Sequence, residues 1–77
     1  MPYKSTAQLP ADVKNVLPRH AQAIYKEAFN HAWEQYEDPK ERRDDASREE
    51  VSHRVAWSAV KGKFEKGADD MWHPRRR

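Results

Sequence analysis

A run of apolar side chains with helical spacing lies between Pro18 and Pro39, and it constrains the fold of this 77-residue chain more than any other feature. At 100° per residue, these apolar side chains fall within about 180° of one another. They are Ala21, Ile24, Tyr25, Ala28, Phe29, Ala32, Trp33 and Tyr36. The pattern predicts one amphipathic helix over residues 19–37. The helix should end at Asp38, because a residue that precedes proline disfavours helical backbone.

One further helix is predicted before this helix and one after it. Pro10 suits the first position of a helix, and residues 11–17 would add about two turns before Pro18 ends them. A second long helix is predicted to run from about Ser47 to about Lys66, with Gly67 as its stop. Its apolar residues cover more than half of its circumference, so we expect it to be central in the fold.

The expected fold class is therefore mainly α, a small domain of three to four helices. Trp72 is expected to pack back on this domain, with its backbone paired to Tyr3 and Lys4. This would add a minor β pairing between the N- and C-terminal segments. We expect residues 1–77 to form a single domain with a flexible tail at about 74–77.

The stretch RRDDASREE, residues 42–50, allows two structural interpretations. Its four carboxylates could ligate a hard cation through oxygen, but the stretch has no twelve-residue loop with a central glycine. Ser47 and Glu50 instead match the capping box, in which each side chain bonds the backbone N–H of the other residue. Asp44 or Asp45 could serve as the cap instead, which would start the helix a turn earlier. The acidic residues also lie where a helix dipole favours negative charge. The sequence favours a helix start over a metal site.

No catalytic, cofactor or metal site is expected. The chain has no cysteine and only two glycines, which removes thiolate chemistry and a glycine-rich phosphate loop. His20, His31, His53 and His73 do not have the spacing of a metal motif. We therefore predict that the protein is not an enzyme.

The charge of the chain is bipolar, although its net value is only +2. Residues 34–50 carry a net charge of −4, and residues 61–77 carry a net charge of +3. A basic last helix with a basic tail can contact phosphates, so nucleic-acid binding is an alternative function. Its contacts would be Lys61, Lys63, Lys66, Arg75, Arg76 and Arg77.

The N-terminal segment MPYKSTAQLP lacks the apolar stretch of a signal peptide. No window approaches the ~20 apolar residues of a transmembrane helix. The absence of cysteine fits a reducing compartment. We expect a cytoplasmic protein, with weak recruitment to the inner face of the membrane through Trp72 and residues 75–77.

Three segments together resemble the ChaB family, small bacterial proteins described as cation transport regulators. They are LPADVKNVLPRHAQAIYKEAFNHAWEQY at 9–36, RRDDASREEVSHRVAWSAVKGKFEKG at 42–67 and the terminal Trp72. The resemblance implies a compact helical fold and a partner, a membrane cation/proton antiporter of the ChaA type. It carries over no functional residue, because the family has no established catalytic or binding motif.

A non-enzymatic interaction module of this kind would need a contact surface. The acidic segment is our predicted surface, and it would meet basic cytoplasmic loops of the antiporter. The predicted contacts are Glu41, Asp44, Asp45 and Glu49.

Overall fold

The computed structural model describes residues 3–38, residue 40 and residues 47–75. A 3₁₀ turn, Thr6–Gln8, comes first, followed by α1 (Ala11–Val16), α2 (Arg19–Gln35), α3 (Arg48–Lys63), β1 (Phe64–Lys66) and β2 (Trp72–Pro74). The two strands form an antiparallel sheet. The predicted fold class, mainly α with a minor β pairing, is confirmed.

Helix α2 buries the face that its sequence predicts. Ala21, Tyr25, Phe29 and Ala32 are fully buried, and they follow one another at intervals of three or four residues. Pro18 precedes the helix with extended backbone, and the Tyr36 N–H closes its last turn on the Ala32 carbonyl at 2.9 Å. The spacing therefore decided both the helix and its orientation toward the core.

Helix α3 begins where the Ser-x-x-Glu pattern predicts. The Ser47 hydroxyl accepts a hydrogen bond from the Glu50 N–H at 3.0 Å, which satisfies one free donor of the first turn. The helix buries Val51, Ser52, Ala56 and Val60. Ser52 is compatible with the core because its hydroxyl donates to the Arg48 carbonyl at 2.8 Å.

The end of α3 differs from the predicted end at about Lys66. The helix stops at Lys63, and Phe64 takes up extended backbone at φ −131° and ψ 158°. Residues 64–66 then form β1, and the aromatic ring of Phe64 stays buried in the core. The last predicted helical turn is therefore a strand.

The partner of the Trp72 strand also differs from the prediction. Strand β2 pairs with β1, with Lys66 opposite Trp72 and Phe64 opposite Pro74. The predicted partner was the segment of Tyr3 and Lys4. A hairpin closes over a few residues, whereas pairing the two ends of the chain would close a much longer loop at a greater entropic cost.

Tyr3 is instead held by α2. Its N–H donates to Asn30 Oδ1 and its carbonyl accepts from Asn30 Nδ2, both at 2.8 Å. Its ring centroid lies 4.7 Å from that of Phe29. The N-terminal segment therefore covers one side of the core cluster, which comprises Leu9, Val13, Leu17, Ala21, Tyr25, Phe29, Ala56, Val60 and Phe64.

Candidate binding groove of tryptophans and cations

An open groove of about 560 Å³ lies between α1, α3 and the hairpin. Its apolar residues are Val16, Trp57 and Trp72. Its polar residues are Arg54, Ser58, Lys61 and Lys66. The volume falls within the range of about 300–1,000 Å³ that is usual for ligand sites.

One face of α3 supplies most of the groove. Arg54, Trp57, Ser58 and Lys61 are spaced i, i+3, i+4 and i+7, so they share one side of the helix. Trp57 and Trp72 are half-buried, whereas the cations are exposed. The helix thus presents an indole with positive charge on both sides of it.

The hairpin supplies the facing side of the groove. Lys66 and Trp72 are directly opposite each other in the β1–β2 register. Residues that are paired across two strands point to the same face of a sheet. The register therefore brings an indole and an ammonium group to the groove together.

The two indoles form a continuous apolar floor. The ring centroids of Trp57 and Trp72 are 5.4 Å apart, with their planes tilted by 35°. Trp57 also packs edge-on against the buried ring of Tyr25 at 5.2 Å. Trp57 packs on the core and Trp72 packs on Trp57, so the core supports the floor of the groove.

Two acidic residues stand near the groove cations. Glu50 Oε2 lies 3.9 Å from Arg54 Nη2, and Asp70 Oδ1 lies 3.8 Å from Lys66 Nζ. All four side chains are more than half exposed. Exposed pairs of this kind contribute little free energy, so both cations stay available to an anionic ligand.

The predicted phosphate contacts are divided by the structure. Lys61 and Lys66 line the groove, whereas Lys63 is exposed in the last turn of α3 and does not line it. Lys61 and Lys63 are about 200° apart around the helix axis. Lys61 and Lys63 therefore lie on different sides of α3.

Arg75 has a structural role that the sequence did not reveal. Its side-chain Nε donates to the Lys61 carbonyl at 2.7 Å and to the Phe64 carbonyl at 3.3 Å. Its backbone N–H donates to the Lys63 carbonyl at 3.0 Å. These bonds satisfy acceptors at the end of α3. Pro74, the first residue of the predicted tail, is the last residue of β2. Arg76 and Arg77 lie outside the described residues.

Of the predicted acidic contacts, the structure describes Glu49. It is exposed in the first turn of α3, and its Oε1 lies 3.7 Å from His53 Nε2. Glu41, Asp44 and Asp45 lie outside the described residues. Glu49 precedes Lys61 by twelve residues in α3, and it does not line the groove.

Tyr25 and His53 form a polar contact inside the aromatic core. The Tyr25 hydroxyl is hydrogen-bonded to His53 Nδ1, and the imidazole also packs edge-on against Phe29 at 4.8 Å. Burial raises the pKa of Tyr25 above its ordinary value, with a smaller effect from Tyr3. Tyr25 therefore stays neutral, and the contact joins α2 to α3.

Within the described ranges, no group of three His, Cys, Asp or Glu side chains is placed to hold a metal ion. None of the helices in these ranges is long and apolar enough to cross a membrane.

Sequence reasoning did not find the groove. Of the residues that line it, the sequence predicts Lys61 and Lys66 as candidate phosphate contacts and Trp72 as a residue that packs back on the domain. The combination of Arg54, Trp57, Ser58 and Lys61 at helical spacing was a usable signal, because charge on both sides of an aromatic is atypical of a core face. Lys66 and Trp72 had no such signal, since only the hairpin register brings them together.

The fold and the groove together define a small helical domain with a cationic, tryptophan-lined surface site. The ChaB family model matches residues 9–75. Two similar proteins, from Escherichia coli (strain K12) and Shigella flexneri, are each named "Putative cation transport regulator ChaB". Each is 64% identical over 75 residues, which cover 97% of this chain and 99% of the relative.

A solved structure agrees with these matches. The NMR solution structure of a ChaB protein superposes with a TM-score of 0.82 at 63% identity, and the match covers 97% of this chain and 100% of the other. The chain belongs to the ChaB family.

Proposed function

We propose that this chain regulates a membrane cation/proton antiporter of the ChaA type, as a non-enzymatic, cytoplasmic protein–protein interaction module. The observation that carries the proposal is the match over 97% of the chain to relatives named as cation transport regulators. A regulator of a membrane protein without a catalytic site of its own acts by binding. Such a regulator shifts the balance between the conformations of the transporter, and the size of the shift is set by the difference in its affinity for them.

The surface of the chain supports a binding role. The groove offers exposed cations around an apolar floor, a combination that supplies both orientation and affinity in protein interfaces. A standard interface buries about 800 Å² on each partner, which is a large share of the surface of so small a chain. The antiporter would therefore contact the groove, the acidic segment, or both.

Transport in everted membrane vesicles tests this proposal. We expect purified chain to change the rate of cation-driven proton exchange, and the change should saturate as the chain occupies its site. The rate is read from a fluorescent pH indicator while the chain is titrated. Vesicles that lack the antiporter are the matched control. An exchange rate that is the same at every concentration of the chain would exclude the proposal.

Binding of single-stranded nucleic acid is the second candidate. The observation that favours it is the placement of Arg54, Lys61 and Lys66 around two indoles, because single-strand sites combine cations with aromatic rings on which bases stack. The two candidates predict different ligands for the groove. Titration with an acidic peptide and with a single-stranded oligonucleotide shows which ligand the groove prefers.

A further inference from the structure

We propose that the groove is a docking site for an acidic polypeptide segment that carries one bulky apolar side chain. This inference rests on the proposed function, because it names the surface used and the chemistry of the segment that it receives. The apolar side chain packs on Trp57 and Trp72, and carboxylates on either side of it pair with Arg54, Lys61 and Lys66.

The apolar part of the argument is the exposure of the indoles. Tryptophan has a large apolar surface, and this chain leaves two of its three tryptophans half-buried in one groove, beside Val16. An apolar anchor seated there removes the remaining indole surface from water. Buried anchors of this type supply most of the free energy in protein interfaces.

The charged part of the argument is the position of the cations. Arg54 and Lys61 lie seven residues apart on α3, two helical turns, with Trp57 between them. Lys66 adds a third cation from the hairpin. The guanidinium can bind a carboxylate through two parallel hydrogen bonds. Cations spread along the groove match a segment with several acidic residues.

The acidic residues near the groove favour a polypeptide over a nucleic acid. Glu50 lies beside Arg54 and Asp70 beside Lys66, within 3.9 Å in both cases. A nucleic acid carries a phosphate at every nucleotide, so some phosphates would face these carboxylates. A polypeptide can place neutral residues there and carboxylates at the cations.

The groove is also organised before any ligand binds. Arg75 fastens the hairpin to the end of α3 through the Lys61, Lys63 and Phe64 carbonyls. Trp57 is held by Tyr25. Side chains that are already held by such contacts have less conformational entropy to lose on binding.

NMR titration of the full chain tests the inference. The probe is a short peptide of Asp and Glu with one central leucine. We expect the indole N–H signals of Trp57 and Trp72 to shift while that of Trp33 does not. Trp33 is an internal control, because its ring stacks on the Arg48 guanidinium at 4.2 Å and does not line the groove.

Two lysines of α3 provide a matched pair of variants. Lys61→Glu places a negative charge in the groove, and we expect it to weaken peptide binding about tenfold or more. Lys63→Glu makes the same change in the same helical turn, outside the groove, and should alter the Kd by less than about twofold. Equal weakening by both variants would show a diffuse charge effect and overturn the inference.

The apolar anchor is tested by a double substitution. Replacing the leucine of the peptide by alanine should weaken binding to the unaltered chain but have little effect on binding to Trp72→Ala. Circular dichroism checks that Trp72→Ala keeps its helices. A leucine effect that is unchanged in Trp72→Ala would overturn the inference, and so would the absence of any peptide binding.

A single-stranded oligonucleotide is titrated in parallel. Binding that shifts the same indole signals and is tighter than that of the peptide would overturn the inference in favour of nucleic acid. The vesicle assay separates this inference from the proposed function. If the Lys61→Glu variant changes the exchange rate as the unaltered chain does, the regulator proposal stands and the groove inference fails. If the peptide binds but the chain never changes the exchange rate, the groove inference stands and the regulator proposal fails.

Discussion

Tyr25 is the residue at which the core of this protein meets its groove. Its ring is fully buried and packs against Trp57 on the groove side. Its hydroxyl is hydrogen-bonded to His53. Deleting the hydroxyl removes a bond between α2 and α3 but leaves the ring packing in place. The residue therefore separates the contribution of one hydrogen bond from that of aromatic burial.

Tyr25→Phe should lower the free energy of unfolding by about 0.5–1.5 kcal/mol at neutral pH, the usual value of one hydrogen bond. The pKa of Tyr25 is raised by burial, so the neutral form favours the folded state. This stability is complete below the unfolded pKa of about 10 and is lost as the pH rises toward the folded pKa. Urea unfolding at several pH values, followed by circular dichroism, measures both effects.

The variant should therefore lose less stability than the unaltered chain when the pH rises above about 10. Some loss will remain, because burial also raises the pKa of Tyr3. Tyr36→Phe, at the half-buried end of α2, is the control for removing a phenol. If Tyr25→Phe and the unaltered chain show the same alkaline dependence, the assigned role of the hydroxyl is wrong.

The β1–β2 hairpin is the element that completes the groove. Its connection is closed by the Gly67 N–H, which donates to the Met71 carbonyl at 2.8 Å. Asp70 adopts the left-handed region at φ 65°. The Asp69 carboxylate accepts from the Met71 N–H at 3.1 Å and lies 3.1 Å from His73 Nε2. One exposed carboxylate thus fixes the loop that positions Lys66 and Trp72.

The hairpin should loosen in acid. The Met71 N–H, and then His73, lower the pKa of Asp69. A lowered folded pKa gives stability that is present above the unfolded pKa of about 3.9 and is lost as the pH falls through the folded value. We expect the Met71 amide and the Trp72 indole signals to move together below about pH 4 in an NMR titration.

Asp69→Asn keeps an acceptor for Met71 but cannot titrate, so it should abolish this acid transition. Asp12→Asn changes an exposed carboxyl group in the first turn of α1 and should leave the transition in place. If Asp69→Asn and the unaltered chain titrate alike in the hairpin signals, another group controls the loop.

At the scale of the whole molecule, Glu49 and Lys61 lie toward opposite ends of α3. Glu49 and Lys61 are twelve residues apart in this helix, which corresponds to about 18 Å along its axis. This exceeds the screening length of about 8 Å at physiological salt. Glu49 and Lys61 can therefore attract different partners, or different parts of one partner.

Reversing the charge of Glu41, Asp44 and Asp45 to lysine tests the acidic segment as a contact surface. If basic loops of the antiporter bind there, less of the substituted chain should co-sediment with vesicles that contain the antiporter. The remaining binding should also depend less on salt concentration. Circular dichroism is needed in parallel, because the changes precede the α3 cap. Unchanged vesicle affinity would exclude this surface.

The sequence by itself determined the helices and their buried faces. The spacing of Ala21, Tyr25 and Phe29 predicted the buried side of α2, and Ser47 with Glu50 predicted the start of α3. These features could be predicted because periodicity and capping depend on residues within a turn or two of one another. The same locality made the interpretation of residues 42–50 as a helix start possible without a structure.

Only the tertiary structure decided the strand at Phe64 and the groove. Local propensity continued α3 to Lys66, but burial of Phe64 and the bonds of Arg75 to the end of α3 favour the hairpin. The groove needs Lys66 and Trp72 in register and Trp57 beside them. The packing of a hairpin on a helix depends on contacts between residues that are far apart in sequence, and helical periodicity within one segment does not encode such contacts.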